Sequence, residues 1–334
     1  MQFLPRHCPR PDCPSIISHH FRWRRKGHFT RRCDGRTVPR FTCLECHRTF
    51  SSQTFRVDYR LRKPKLHLAL FRDFVSKTTM RQSARMLGCT RRTVAHRLAL
   101  LGRHCREFHS SILDRAKQKG GVSGIFQLDE LETFEHSRLL RPVTVPVLIE
   151  RSSYFVLHAS VAPMACRGGL SPRLREKKEA MAQQFGKRHS GSVAAVRESF
   201  DCLASLHRPE ACVTMQTDRK ASYATNLKRI FGERIRHERY SSKAVRNYSN
   251  PLFPINHTFA MMRDGLSRLV RRSWAAAKLR ERMSSHLWIW IAYRNYVRGI
   301  TNEAPNVTPA MALGVDSRKW KRKELLAWRV FTIS

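Results

Sequence analysis

The sequence predicts a mixed α/β domain preceded by a small cysteine-rich module and an all-α segment, and three observations carry that reading. From residue 124 onward, short apolar runs come first and then alternate with helical patterns, as in a mixed sheet flanked by helices. Before that, apolar residues recur at helical spacing from Leu66 to about Ser111. Earlier still, two close cysteine pairs stand in a stretch with little periodicity. The 41% hydrophobic content is enough to bury one or two cores in 334 residues.

Composition also limits the partners. Sixty-four Lys and Arg against 25 Asp and Glu give a formal charge of +39, which calls for a polyanion, with nucleic acid the default. The longest apolar run, Leu287 to Tyr293, is far short of the ~18 residues of a membrane span. No apolar stretch follows Arg6 and Arg10, so no signal peptide is read. Ten cysteines without a secretion signal then point to a reducing, cytoplasmic compartment with some of them on metal.

Residues 1–56 read as a zinc ribbon. Cys8-x4-Cys13 and Cys43-x2-Cys46, separated by 29 residues, let two short turns each present two thiolates to one Zn²⁺. Cys33, His7 and His47 are near enough in sequence to act as substitute ligands. Residues 57–116 begin with a basic connector and become helical, with Leu66, Leu70 and Phe74 on one stripe. Within Thr79–Leu98 the pattern is helix, turn at Gly88, helix, with Thr90 placed to cap the second helix. Leu87, Val94 and Leu98 supply a shared core, and Arg91, Arg92, His96 and Arg97 project outward for DNA. A pair of solvated amphipathic helices would show the same pattern.

After a linker at 117–124, strand-like runs cover Ile125–Leu131, Val143–Ile149 and Tyr154–Val161. A basic insertion spans Arg167–Ser190. Helix, strand, helix and strand follow at Val193–Leu206, Ala211–Thr217, Ala221–Phe231 and Ile235–Tyr240. Ile255–Tyr296 is mostly helical, and Leu287–Ile291 reads as buried core. The α/β domain is thus expected over 124–300, with a C-terminal segment at 301–334. Asp129 and Asp218 each close an apolar run, so neighbouring strands would bring two carboxylates together, an arrangement that shared divalent metal stabilises. An acid at a strand end also serves as a turn residue or helix cap.

These features, in this order, resemble small bacterial insertion-sequence transposases. The resemblance rests on the four-cysteine ribbon, the helix-turn-helix, Asp129 in QLDELETF, Asp218 in TDRKASY and the segment Ile255–Trp274. It implies an RNase H-like catalytic domain that cuts and joins DNA with two Mg²⁺, Mn²⁺ substituting. It makes Asp129, Asp218 and Asn256 the magnesium ligands, with Asn256 standing where most relatives carry Glu. Arg263 lies seven residues on, on the same helical face, and could hold a phosphate. Asp264 is the fallback acid. Arg268 and Arg271 would guide DNA toward the metals. The implied partners are double-stranded DNA, both transposon ends and target, and further copies of the chain on that DNA, in the nucleoid. No membrane and no small-molecule substrate is implied. The competing readings are a non-catalytic DNA-binding protein, such as a repressor or decayed transposase, and a structure-specific nuclease.

Overall fold

A computed structural model describes residues 3–17, 21–166, 168–208, 210–241, 243–245, 247–270 and 275–329. Contacts divide the chain at residues 70 and 320 into two compact units. The first takes the N-terminal residues through 70 together with those from 321 onward, and the second takes 71–320. This differs from the four-segment expectation, because the helical segment after residue 70 belongs with the α/β sheet and the last residues belong with the N-terminal module.

Unit 1 contains the short helix α1 (Pro14–Ile17) and strands β1 (Trp23–Thr30), β2 (Thr37–Cys43) and β3 (Thr49–Ser51). They form an antiparallel sheet in the order β1-β2-β3. Its small core is aromatic. Phe41 and Phe50 stack with ring centroids 5.7 Å apart, and Trp23 meets Phe41 edge-on at 5.2 Å. The cysteines close the same cluster.

Helix α2 (Leu66–Phe74) crosses the boundary between the units, and α3 (Met80–Met86) and α4 (Arg91–Gln118) follow. The Thr79 hydroxyl accepts from Gln82 N–H and the Gln82 side chain from Thr79 N–H, a capping box that starts α3. Gly88 stops it at φ +55°, and the Thr90 hydroxyl accepts from Thr93 N–H at 3.1 Å to start α4. Helix α4 runs on past residue 116 because its apolar stripe, Val94, Leu98, Leu101, Cys105 and Phe108, is fully buried. It packs against a later helix, α9 (Arg280–Tyr296). A side chain at Gly102 would put its Cβ 2.5 Å from the Ser285 backbone, so the crossing requires glycine.

The sheet of unit 2 comprises β4 (Ile125–Phe134), β5 (Pro142–Glu150), β6 (Val156–Ala159), β7 (Ala162–Pro163), β8 (Val213–Asp218) and β9 (Ile235–Tyr240). Its order is β6-β5-β4-β8-β9, with β7 beside β5. Strands β4, β5 and β6 pair antiparallel, whereas β8 runs parallel to β4 and β9 parallel to β8. Helices α5 (Pro172–Phe185), α6 (Ser192–Leu206), α7 (Ala221–Phe231), α8 (Phe253–Gly265), α9 and α10 (Pro309–Ala312) complete unit 2, and α11 (Arg322–Ala327) belongs to unit 1. The insertion at 167–190 holds α5, none of whose residues is buried. Leu287, Ile289 and Ile291 are at most 1% exposed, so this part of α9 is core as its composition predicts. Among the described residues no helix is long and apolar enough to cross a membrane.

Candidate functional site

The four predicted cysteines converge in unit 1. The Sγ atoms of Cys8, Cys13, Cys43 and Cys46 all lie within 4.8 Å of one another. Cys8 and Cys46 are 3.5 Å apart and Cys13 and Cys43 3.7 Å. Sulfurs bound at ~2.3 Å around one tetrahedral ion would be separated by about 3.8 Å, so the donor set fits zinc. Cys33 is exposed, and neither it nor His7 nor His47 enters the cluster. Burial pushes the Cys8 thiol up. Burial also opposes ionisation of Cys13, but hydrogen bonds from Ser15, Cys46 and Cys43 outweigh it and bring that thiol down to about 7. A thiolate is therefore accessible near neutrality, as a metal ligand requires.

In unit 2 the two predicted aspartates lie on strands that pair with each other. Strands β4 and β8 pair in parallel with Gln127 beside Gln216, and carrying that register two residues forward sets Asp129 beside Asp218. Neighbouring strands lie about 4.8 Å apart. The two carboxylates thus share one level of the sheet and one face. Each is steadied by its own loop or strand: Asp129 Oδ1 accepts from Glu130 N–H at 2.7 Å and Asp218 Oδ1 from Lys220 N–H at 3.0 Å. Glu130 points to the opposite face. There it accepts from Thr144 at 2.9 Å, Ser192 at 2.6 Å and Tyr223 at 2.9 Å, and pairs with Lys220. Burial would raise the Glu130 pKa, but Lys220, Ser192 and Thr144 hold it below the usual carboxylate range. Burial, reinforced by Glu130, Asp129 and Asp218, pushes the Tyr223 phenol up.

Helix α8 is fixed over the aspartate face by a residue that sequence reading did not single out. The buried Gln127 side chain donates to Gln216 Oε1 at 2.8 Å and to the Pro251 carbonyl at 2.6 Å. Its own Oε1 accepts from Ile255 N–H at 3.1 Å, one of the donors that the first turn of a helix leaves unsatisfied. Gln216 continues the row by donating to Glu238 on β9 at 2.8 Å. Since Ile255 precedes Asn256, this row sets the position of Asn256 relative to Asp129. The Asn256 Nδ2 donates back to the Leu252 carbonyl at 2.9 Å, which leaves Oδ1 as its outward acceptor.

Asp129, Asn256 and Arg263 line one cleft of about 1210 Å³. Asp218 is not among its lining residues, and it joins the group through the strand register alone. Asp264 is exposed and outside the lining. His257 lines the cleft as well, stacked on Phe253 with centroids 5.8 Å apart. Burial, then Arg294 and Arg298, keep its imidazole below the ordinary histidine pKa. Two carboxylates and an amide carbonyl are hard oxygen donors of the kind Mg²⁺ takes.

The residues predicted to touch DNA divide. Arg91, Arg92 and His96 are exposed at the start of α4. Arg97 is only 5% exposed, because it follows Val94 by three and adjoins Leu98 on the buried stripe. Arg268 is 7% exposed in the turn after α8, where burial and Arg282 lower its guanidinium pKa to about 10. Arg97 therefore does not project outward as expected, and Arg268, expected to guide DNA, is buried. Arg271 lies outside the described residues. Compared with known protein families and with curated proteins, the chain matches no family model and no curated sequence.

Proposed function

We propose that the protein is a DNA transposase that binds transposon ends and carries out metal-dependent strand cleavage and strand transfer. The observation that carries the reading is the parallel pairing of the two strands that bear Asp129 and Asp218, each two residues beyond the paired Gln127 and Gln216, under a helix latched so that Asn256 and Arg263 line the cleft with Asp129. The strand order, three antiparallel strands followed by two parallel to the first, supports an RNase H-like catalytic domain. In this reading Asp129, Asp218 and Asn256 would hold two Mg²⁺, whose chemistry when bound would be to activate the attacking oxygen and stabilise the leaving one in phosphoryl transfer. The two carboxylates and the amide fix the donor geometry. Arg263 orients a DNA phosphate through its planar guanidinium. The cysteine cluster folds the N-terminal module around zinc, and α3 and α4 form a helix-turn-helix that presents Arg91, Arg92 and His96 to the major groove. The chain acts as a homo-oligomer on DNA in the bacterial nucleoid.

The test uses purified protein, Mg²⁺ and duplexes carrying the DNA that flanks its gene. Asp129→Asn and Asp218→Asn should each abolish cleavage and leave duplex binding intact. Wild-type cleavage by Asp129→Asn would refute the catalytic assignment.

A further inference from the structure

Unit 1 contains a second cleft, of about 490 Å³, whose lining includes none of the four zinc-site cysteines. Its walls come from three stretches that are distant in sequence: Arg36 just before β2, the connector from Arg56 to Leu68, and Lys323 with Leu326 on α11. The C-terminal segment is held there by an antiparallel bridge between Arg56 and Arg329 and by the buried Leu325 and Leu326.

The charge of this cleft is one-sided. Its carboxylate, Asp58, accepts from Arg56 Nε at 2.7 Å and from Arg31 Nη1 at 3.2 Å, so two guanidiniums already consume it. Arg36 reaches Asp34 only at 4.0 Å, and that carboxylate is engaged by Arg31. Lys65 and Lys323 are exposed and make no ion pair among the described residues. Bridged to Arg56, Arg329 packs over the Phe3 ring at 4.3 Å. Three separate segments therefore bring cations to one concavity, and two of those cations, Lys65 and Lys323, have no ion pair among the described residues. Such a potential is unfavourable for the protein alone and favourable once an anion enters.

We infer that this cleft binds the phosphodiester backbone of double-stranded DNA, with Lys65 and Lys323 each taking one phosphate. The inference rests on the DNA-acting reading above and adds a contact outside both the helix-turn-helix and the carboxylate cleft. Because it touches backbone alone, it adds affinity and register and carries no base information.

The experiment measures duplex binding by the full zinc-loaded chain across a salt series, by fluorescence anisotropy. Lys65→Gln with Lys323→Gln is compared with Lys177→Gln and Lys178→Gln on the unburied helix α5, which remove the same charge. The cleft pair should lower the slope of log affinity against log salt by about 1.8, at about 0.9 per phosphate, with the ratio of specific to non-specific affinity unchanged. Millimolar inorganic phosphate should not compete. An unchanged slope, or a fall matched by the α5 pair, would overturn the inference. Competition by phosphate that vanishes in the cleft pair would assign the site to the free anion instead. A wild-type protein that binds no duplex would overturn the DNA reading itself, whereas the other failures leave that reading standing.

Discussion

Replacing Gln127 with Met keeps the length of the side chain and removes its hydrogen bonds. Gln127 is fully buried, and its amide serves three partners at once: Gln216 Oε1, the Pro251 carbonyl and Ile255 N–H. Leaving a buried polar group without a partner costs about 1–3 kcal/mol. Ile255 is fully buried and Gln216 is 2% exposed, so both would bear that cost, while the half-buried Pro251 carbonyl can turn toward water. The sum is about 2–6 kcal/mol, a large share of the 5–15 kcal/mol that holds a typical domain. Because the loss falls on the first turn of α8, it should appear locally before it appears globally. Amide exchange across 253–258 should quicken by about 30-fold or more, since each 1.4 kcal/mol is a factor of ten. Urea unfolding should shift by on the order of 1–2 M. Unchanged exchange in α8, with less than about 1 kcal/mol lost, would show that Gln127 does not latch the helix.

Cys43→Ser with Cys46→Ser should remove about one Zn²⁺ per chain and unfold unit 1, read by metal analysis and near-ultraviolet dichroism, and full zinc occupancy would rule the site out. Unit 2 should weaken in mild acid. Burial lowers the pKa of His109 to about 4 and, helped by Arg268, that of His286 to about 3, against an ordinary 6.5. Between pH 6.5 and 4 the unfolded chain therefore binds more protons, and each histidine should cost on the order of 1 kcal/mol per unit of acidification; stability that holds or rises over that range contradicts this. For the cleft, Asn256→Ala should sharply reduce Mg²⁺-dependent joining and Asn256→Asp should retain part of it, with Asp264→Asn tolerated. An inactive Asp264→Asn beside an active Asn256→Ala would move the third ligand.

What could be read from sequence was what depends on near neighbours. The cysteine pairs announce themselves because both ligands of each knuckle are a few residues apart, and the structure gathers them. Asp129 and Asp218 were visible as strand-end acids, but the register that aligns them is a long-range property of pairing between strands far apart in sequence. The Gln127 row has no local signature at all, since its partners lie on β8 and at the start of α8. Arg97 is a different case: the 3.6-residue period that identified Val94 and Leu98 already placed it on the buried stripe, and its charge concealed this. Arg268 followed no period, because the turn after α8 is too short to have one.

The division of the chain also has a temporal side. Unit 2 is inserted between the two parts of unit 1, so roughly 250 residues separate Leu70 from Lys321. At the usual pace of translation, about 5–20 residues per second, the ribosome needs on the order of 10–50 s to cross that interval. The cysteines emerge early and can collect their ion while the rest is still being made. The wall supplied by α11 arrives last. The four-cysteine cluster can therefore assemble before the basic concavity beside it exists, which postpones any contact made there until unit 2 has already been built.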